Sequence, residues 1–314
     1  MRREPWRTPR HLTYRSHRMK IPVVSVLRNR ELIAGLLVIL FGGALTSREM
    51  SGQALSRVGT TKRGIYYTVS GRGEPLVLVH GFQTDHREWD EVAPRLGATR
   101  QIIRYDLRGH GRSAAVSDPF YPHEDLAGLL DELGVRTADV VGLSAGSNAA
   151  LELALERPEM VRRLVMVSPG LPEIRVNVSR EWMRPIGEAL RTGNARRAAE
   201  LWWESPMMEG TRARGAAGER YRTVVLDNAR IWTQNASAQQ RLAPPPAERL
   251  RDLRQPLLLV VGGADATGSQ PQADSILARQ PNAVRVVVPG AGHMISIERP
   301  VDLASAIAQF LSAK

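Results

Sequence analysis

The chain contains no cysteine, no apolar run of membrane-spanning length and, beyond its first thirty residues, no strong excess of one charge. The missing cysteine excludes disulfides and cysteine-ligated metal sites, and it leaves the redox compartment unreadable from thiol usage. The longest apolar run, Leu32–Leu45, has fourteen residues, short of the roughly twenty that cross a bilayer as a helix. The net charge of +11 is concentrated at one end: residues 1–30 carry nine Lys/Arg against the single acid Glu4. The rest of the chain holds 34 bases against 31 acids. A body so close to neutral excludes the nucleic-acid reading that the total charge suggests.

What is present divides the chain into four parts. Residues 1–54 combine the basic arm with Leu32–Leu45, the layout of a secretory signal. Gly52 and Ala54 supply small residues for a cut after position 54, although they do not make a clean A-x-A. The basic region is long for a signal, and Met19 offers a more usual opening, Met-Lys-Ile-Pro. An uncleaved anchor with its basic arm held in the cytoplasm is the competing reading, and a buried helix of the fold is the third. Export or anchoring is the expectation, with membrane contact through Leu32–Leu45.

Residues 55–63 read as a polar linker. From there short apolar β-branched runs alternate with helical patterns. Strands are expected at Ile65–Val69, Leu76–Val79, Asp139–Leu143 and Leu164–Val167. Helical spacing marks Trp89–Leu96, His123–Leu133 and Ala145–Arg157. This alternation predicts a mostly parallel sheet wrapped by helices. It stops at about Gly170. Residues 171–252 have no strand run, carry Ala, Arg, Glu, Leu and Trp at helical spacing, and close with Ala243-Pro244-Pro245-Pro246. The sheet pattern then resumes in residues 253–314, with strands at Leu257–Val261 and Val284–Val288 and helices at Ala273–Ala278 and Val301–Leu311. The expected layout is a core (55–170 and 253–314) interrupted by a helical lid (171–252).

The chemistry is concentrated in Gly142-Leu143-Ser144-Ala145-Gly146. Valines precede this Gly-x-Ser-x-Gly and a helix follows, so Ser144 sits at the apex of a strand–turn–helix. Such a turn demands small flanking residues, lifts the hydroxyl clear of the backbone, and frees the Ala145 amide at a helix N-terminus. A serine that merely caps the helix would need none of this context. A serine hydroxyl is a poor nucleophile near neutral pH. It requires a base, and the base requires an orienting group. In an open α/β sheet these partners belong at the carboxyl ends of later strands. Asp265 follows Leu257–Val261 through Gly262-Gly263-Ala264, and His293 follows Val284–Val288 through Pro289-Gly290-Ala291-Gly292. The end of Leu164–Val167 reads Ser168-Pro169-Gly170, so no carboxylate there competes with Asp265. His80 and His110 also lie at strand ends, but each is embedded in a Gly-rich turn. The expected roles are Ser144 nucleophile, His293 base and then acid, and Asp265 orienting carboxylate. The Phe82 amide, after His80-Gly81, is the second expected oxyanion donor beside that of Ala145.

His80-Gly81-Phe82, Asp106-Leu107-Arg108-Gly109-His110-Gly111-Arg112-Ser113, the serine turn, Gly262-Gly263-Ala264-Asp265 and Gly290-Ala291-Gly292-His293 together resemble the α/β-hydrolase superfamily. The likeness is to its small serine esterase, enol-lactonase and C–C hydrolase branch, and it covers about residues 60–314. It implies an α/β-hydrolase fold, with a helical lid inserted before the acid-bearing strand end. It also implies hydrolysis through an acyl-enzyme without metal or organic cofactor. Ser144 argues against dehalogenase and epoxide hydrolase relatives, which place aspartate there. One departure is Ser147, where many relatives have glycine. The expected substrate is an ester or lactone of a small, mostly apolar acid, with Trp182, Met183, Trp202, Trp203, Met207 and Met208 either walling an acyl pocket or simply docking the lid. Arg212, Arg214, Arg220 and Arg222 read as a solvated face. The alternatives are a C–C bond hydrolase or acyltransferase with the same triad, and a membrane-tethered ligand-binding protein.

Overall fold

The computed structural model describes residues 57–313. The basic arm and Leu32–Leu45, which carry the export expectation, lie outside the described residues. Among the described residues no helix is long and apolar enough to cross a membrane.

Eight strands form one sheet: β1 (Arg57–Thr60), β2 (Tyr66–Gly71), β3 (Glu74–Val79), β4 (Arg100–Tyr105), β5 (Ala138–Leu143), β6 (Val161–Val167), β7 (Leu257–Gly262) and β8 (Val284–Val288). Their order is β1-β2-β4-β3-β5-β6-β7-β8. The β1–β2 and β2–β4 pairs are antiparallel, and every later pair is parallel. Parallel strands need crossover helices on both faces, so their sequences read as unbroken apolar runs. β5 and β7 are buried along their whole length. The pleat then divides each run between two cores. Val77, Val79, Val140, Leu257 and Leu259 face one; Leu76, Leu78, Val141, Leu258 and Val260 face the other.

Among the described residues, the helices of two turns or more are α1 (Pro122–Leu133), α2 (Ala145–Glu156), α3 (Met183–Arg191), α4 (Ala195–Glu204), α5 (Ala216–Asp227), α6 (Ser269–Leu277) and α7 (Pro300–Ser312). α1, α2 and α6 cover the first core through residues such as Leu126, Leu130, Leu151 and Ile276. α7 covers the second with Leu303, Ile307 and Leu311. The stretch between β6 and β7 has no core of its own. Ile186 of α3, Trp202 and Trp203 of α4 and Val225 of α5 join the second core.

Besides adding β4, which is not among the expected strands, the structure departs from the sequence expectations in four places. Residues 57–60 are not linker but the edge strand β1. Val58 is its one large apolar side chain and is 58% exposed, so no hydrophobic pattern announced it. The Trp89–Leu96 helix is instead two single turns, His86–Trp89 and Ala93–Leu96. Pro94 lacks the N–H that a continuous helix would need there. α6 begins at Ser269, four residues before the expected start, after Gly268 at φ 104°. Finally, the arginine face is solvated only in part: Arg220 and Arg222 are exposed, but Arg214 and Arg220 pair with Glu91, and Arg212 donates to the Trp203 and Ser205 carbonyls. The Glu91 pairs tie the inserted helices to the loop between β3 and β4.

Candidate active site

β5 ends at Leu143, Ser144 takes φ 52° and ψ −112°, and α2 starts at Ala145. A positive φ at serine is strained by about 1–3 kcal/mol and persists only where its surroundings enforce it. The enforcement is visible here. The Ser144 N–H donates to the Val167 carbonyl at the end of β6 (2.9 Å). A Cβ on Gly142 would stand 2.3 Å from the Gly146 oxygen, and one on Gly146 only 2.4 Å from the Val79 oxygen. Either side chain would push the turn off the sheet. Ser147 fits without disturbance: it is buried, and its Oγ–H donates to the Ser144 carbonyl (2.6 Å).

Asp265 and His293, 28 positions apart, meet because their turns pack on each other. A Cβ on Gly262 would lie 2.1 Å from the Gly292 oxygen, so that glycine permits the close approach. The His293 Nδ1–H donates to Asp265 Oδ2 (3.0 Å), and both side chains are buried. The other Asp265 oxygen accepts the Thr267 N–H (2.8 Å) and hydroxyl (2.5 Å). Burial by itself would raise the Asp265 pKa. The hydrogen bond to His293 and its charge, with the Ser269 and Thr267 hydroxyls, outweigh burial and hold the carboxyl well below the usual range. An ionised Asp265 is an acceptor only, so the imidazole carries its proton on Nδ1. Nε2 then has no partner among the described residues.

The Phe82 amide lies on the turn after β3 and the Ala145 amide at the start of α2. Neither donates a hydrogen bond among the described residues. Phe82, Ser144, Ala145 and His293 line one cavity of about 560 Å³. Trp182, Met183, Trp202 and Met207 wall it, whereas Trp203 and Met208 are packed in the core. These six residues thus divide between cavity wall and core packing.

Other groups at the site gave no signal in the sequence. Glu88 is fully buried and accepts the Gly81 N–H (2.9 Å), the Thr84 hydroxyl (2.6 Å) and the Ser296 hydroxyl (3.3 Å). It joins the Phe82 turn to the segment after His293. Burial pushes its carboxyl up to about 7, although those hydrogen bonds pull the other way. The Ser168 hydroxyl, at the strand end that lacks a carboxylate, donates to the His293 carbonyl (2.6 Å).

His80, at the end of β3, is structural. His80 Nε2 accepts the Leu107 N–H (2.9 Å) and its Nδ1–H donates to the Gly81 carbonyl (2.7 Å), so the ring is neutral. Burial lowers its pKa, overriding the pull of Asp106. One ligand atom each from Asp85, His86 and Asp106 lies within 4.8 Å of the others, a spacing a cation could use. Those oxygens are already engaged by Arg87, Asn228, His86 and the Arg112 N–H.

The geometry allows acyl transfer to a serine: a half-buried, cavity-lining Ser144 on a strained turn, an oriented imidazole, and two free amides. Comparison with known proteins agrees in class. Residues 76–306 match the family described as the alpha/beta hydrolase family. The chain is 28% identical to a putative 2-succinyl-6-hydroxy-2,4-cyclohexadiene-1-carboxylate synthase of Bacillus subtilis, over 81% of this chain and 97% of the relative. It is 29% identical to an sn-1-specific diacylglycerol lipase of Mus musculus, over 76% of this chain and 80% of the relative. A thermophilic esterase from Thermogutta terrifontis superposes with a TM-score of 0.68 at 25% identity, over 82% of this chain and 98% of the esterase.

Proposed function

The chain belongs to the alpha/beta hydrolase family, and we propose that it is a serine hydrolase cleaving a carboxylic ester or lactone of a small, mostly apolar acid. The observation that carries this reading is the buried Asp265–His293 pair, 3.0 Å apart, whose His293 lines one apolar-walled cavity with Ser144. Ser144 Oγ attacks the carbonyl carbon while His293 Nε2 takes its proton. Asp265 keeps the imidazole in that tautomer and stabilises the imidazolium. The carbonyl oxygen, now an oxyanion, accepts from the Phe82 and Ala145 amides. Collapse expels the alcohol, which leaves with the proton held by His293. Water then hydrolyses the acyl-enzyme by the same steps. The basic arm and Leu32–Leu45 support the further reading that this chemistry takes place outside the cytoplasm or at a membrane.

A fluorophosphonate probe with intact-mass detection tests the assignment on the full chain, with Ser144→Ala and His293→Ala beside it. One adduct on the wild type alone is the expected result. A folded wild type that takes no adduct overturns it and moves the ligand-binding reading ahead.

A further inference from the structure

Two cavities meet beside the proposed nucleophile, which lines the first. Phe82, Ala145 and Trp232 belong to both. His293 lines only the first. The second, of about 360 Å³, extends past the Phe82 turn between Leu107, Val116, Phe120, Leu190 and Ile231. Nothing in the motifs pointed to it.

The reaction decides which half of a substrate each cavity holds. His293 must hand its proton to the departing oxygen, so the leaving group lies where His293 is, in the first cavity. The carbonyl oxygen lies at the Phe82 and Ala145 amides. The acyl chain leaves the carbonyl carbon on the side away from the departing oxygen. The second cavity borders the same two residues, Phe82 and Ala145, and offers the acyl chain a space apart from His293.

The second cavity also has a defined chemistry. Arg108 lines it, but its guanidinium donates to Asp125 through two bonds of 2.8 and 2.6 Å, so neither charge is free for a ligand. His110 lines it too and is 6% exposed. Its Nδ1–H donates to the Arg108 carbonyl (3.2 Å), and its Nε2 is an acceptor with no partner among the described residues. Burial holds the ring neutral, pushing its pKa down to about 3. A buried acceptor left unpaired is unfavourable, and a ligand donor relieves it.

We propose that this second cavity is the acyl subsite, and that it takes an uncharged, apolar acyl chain carrying one hydrogen-bond donor, a hydroxyl or amide N–H, for His110 Nε2. The proposal rests on the serine-hydrolase reading. It reassigns Trp182, Met183, Trp202 and Met207, expected from the sequence to wall an acyl pocket, to the leaving-group side.

The test uses the full chain and p-nitrophenyl esters of acetate, butyrate and hexanoate, with Val116→Trp narrowing the second cavity and Val178→Trp the first. Val116→Trp is expected to lower the hexanoate-to-acetate ratio of kcat/KM at least tenfold, and Val178→Trp to move it less than twofold. Should Val116→Trp fail to fold, Ala236→Trp on an exposed turn of the same cavity replaces it. The reverse pattern, or a ratio unchanged in every variant, overturns the assignment. His110→Phe keeps a ring and removes the acceptor. Methyl esters of 3-, 4- and 5-hydroxyhexanoate, followed by acid release, are compared with methyl hexanoate. At least one is expected to be preferred by the wild type, with that preference falling about tenfold in His110→Phe. No preference at any position removes the donor from the proposal. A wild type that hydrolyses no p-nitrophenyl acetate is a different failure, that of the serine-hydrolase reading itself.

Discussion

The strand ends and the inserted helices contribute to this site by different means. Ser144, Asp265, His293 and the Phe82 amide lie within a few residues of the carboxyl ends of β5, β7, β8 and β3. Backbone fixes their positions. At Gly142, Gly146 and Gly262 a single added carbon would come within 2.4 Å of a neighbouring oxygen. The helices between β6 and β7 place no titratable group in the acid–base pair. They contribute side-chain surface, with Trp182 packed edge-on against Trp202 (5.6 Å) and Trp202 against Phe82 (5.3 Å). They are tied down by arginines, Arg214 and Arg220 on Glu91 and Arg230 on the carbonyls of His110, Gly111 and Ser113. A reaction centre tolerates little displacement, so it sits on backbone that cannot shift. A substrate wall must match only shape and polarity, and side chains suffice for that.

Substitutions can break or sharpen that contrast. Changes at the strand ends should reduce turnover of every ester, and changes in the inserted helices should alter which ester is preferred. The largest effect is expected for Ser144→Ala, a loss of at least about 10⁴-fold in kcat on all substrates with the melting temperature nearly unchanged. Retained activity would remove Ser144 as nucleophile. Asp265→Asn should cost on the order of 10⁴ in kcat, the loss seen when the corresponding serine-protease carboxylate is neutralised. A loss below tenfold would mean that another acid orients His293. Trp182→Ala, within the insert, should raise KM for bulky leaving groups by about tenfold and leave kcat within roughly twofold, in keeping with lost uniform binding. A uniform collapse of kcat would erase the distinction between the two regions.

Glu88 sharpens the comparison through pH. Its carboxyl stands raised to about 7 in the folded protein, above its ordinary value of 4.5. The folded state therefore holds the proton more tightly than the unfolded state. The stability this gives is fully present below the unfolded value and is lost as pH rises through 7. Glu88→Gln does not titrate, so its stability relative to the wild type should improve by roughly 1–3 kcal/mol between pH 4.5 and pH 8. Denaturant melts at the two pH values measure this, and an unchanged difference would show that Glu88 titrates alike in both states. The smallest effect is expected for removal of residues 1–54, which should leave kcat and KM within about twofold. An insoluble product would show that the apolar run belongs to the fold.

Much of this was legible because the controlling interactions are short in range. Val140-Val141-Gly142 followed by an alanine-rich run determines a buried strand, a turn and a helix within one stretch of chain. The same holds for the Gly-rich turns before Asp265 and His293. What escaped notice had no local pattern. β1 is amphipathic only in relation to Tyr67, whose ring lies over Gly59. Glu88 looks like one more charge in an exposed His-Arg-Glu, yet the fold buries it completely between the Phe82 turn and Ser296. The Arg214 charge looked solvated because its partner, Glu91, lies more than a hundred residues earlier.

The sequence by itself determined the parallel sheet, the place of the helical insert and the types of residue at each strand end. Hydrophobic period, glycine and proline act over a few residues and need no partner from elsewhere. Only the tertiary structure decided that Asp265 reaches His293, which nitrogen of each histidine carries the proton, and that two cavities meet at Phe82 and Ala145. Each of these depends on distances between segments far apart in the chain, which the packing of both cores on the sheet sets and no local pattern encodes.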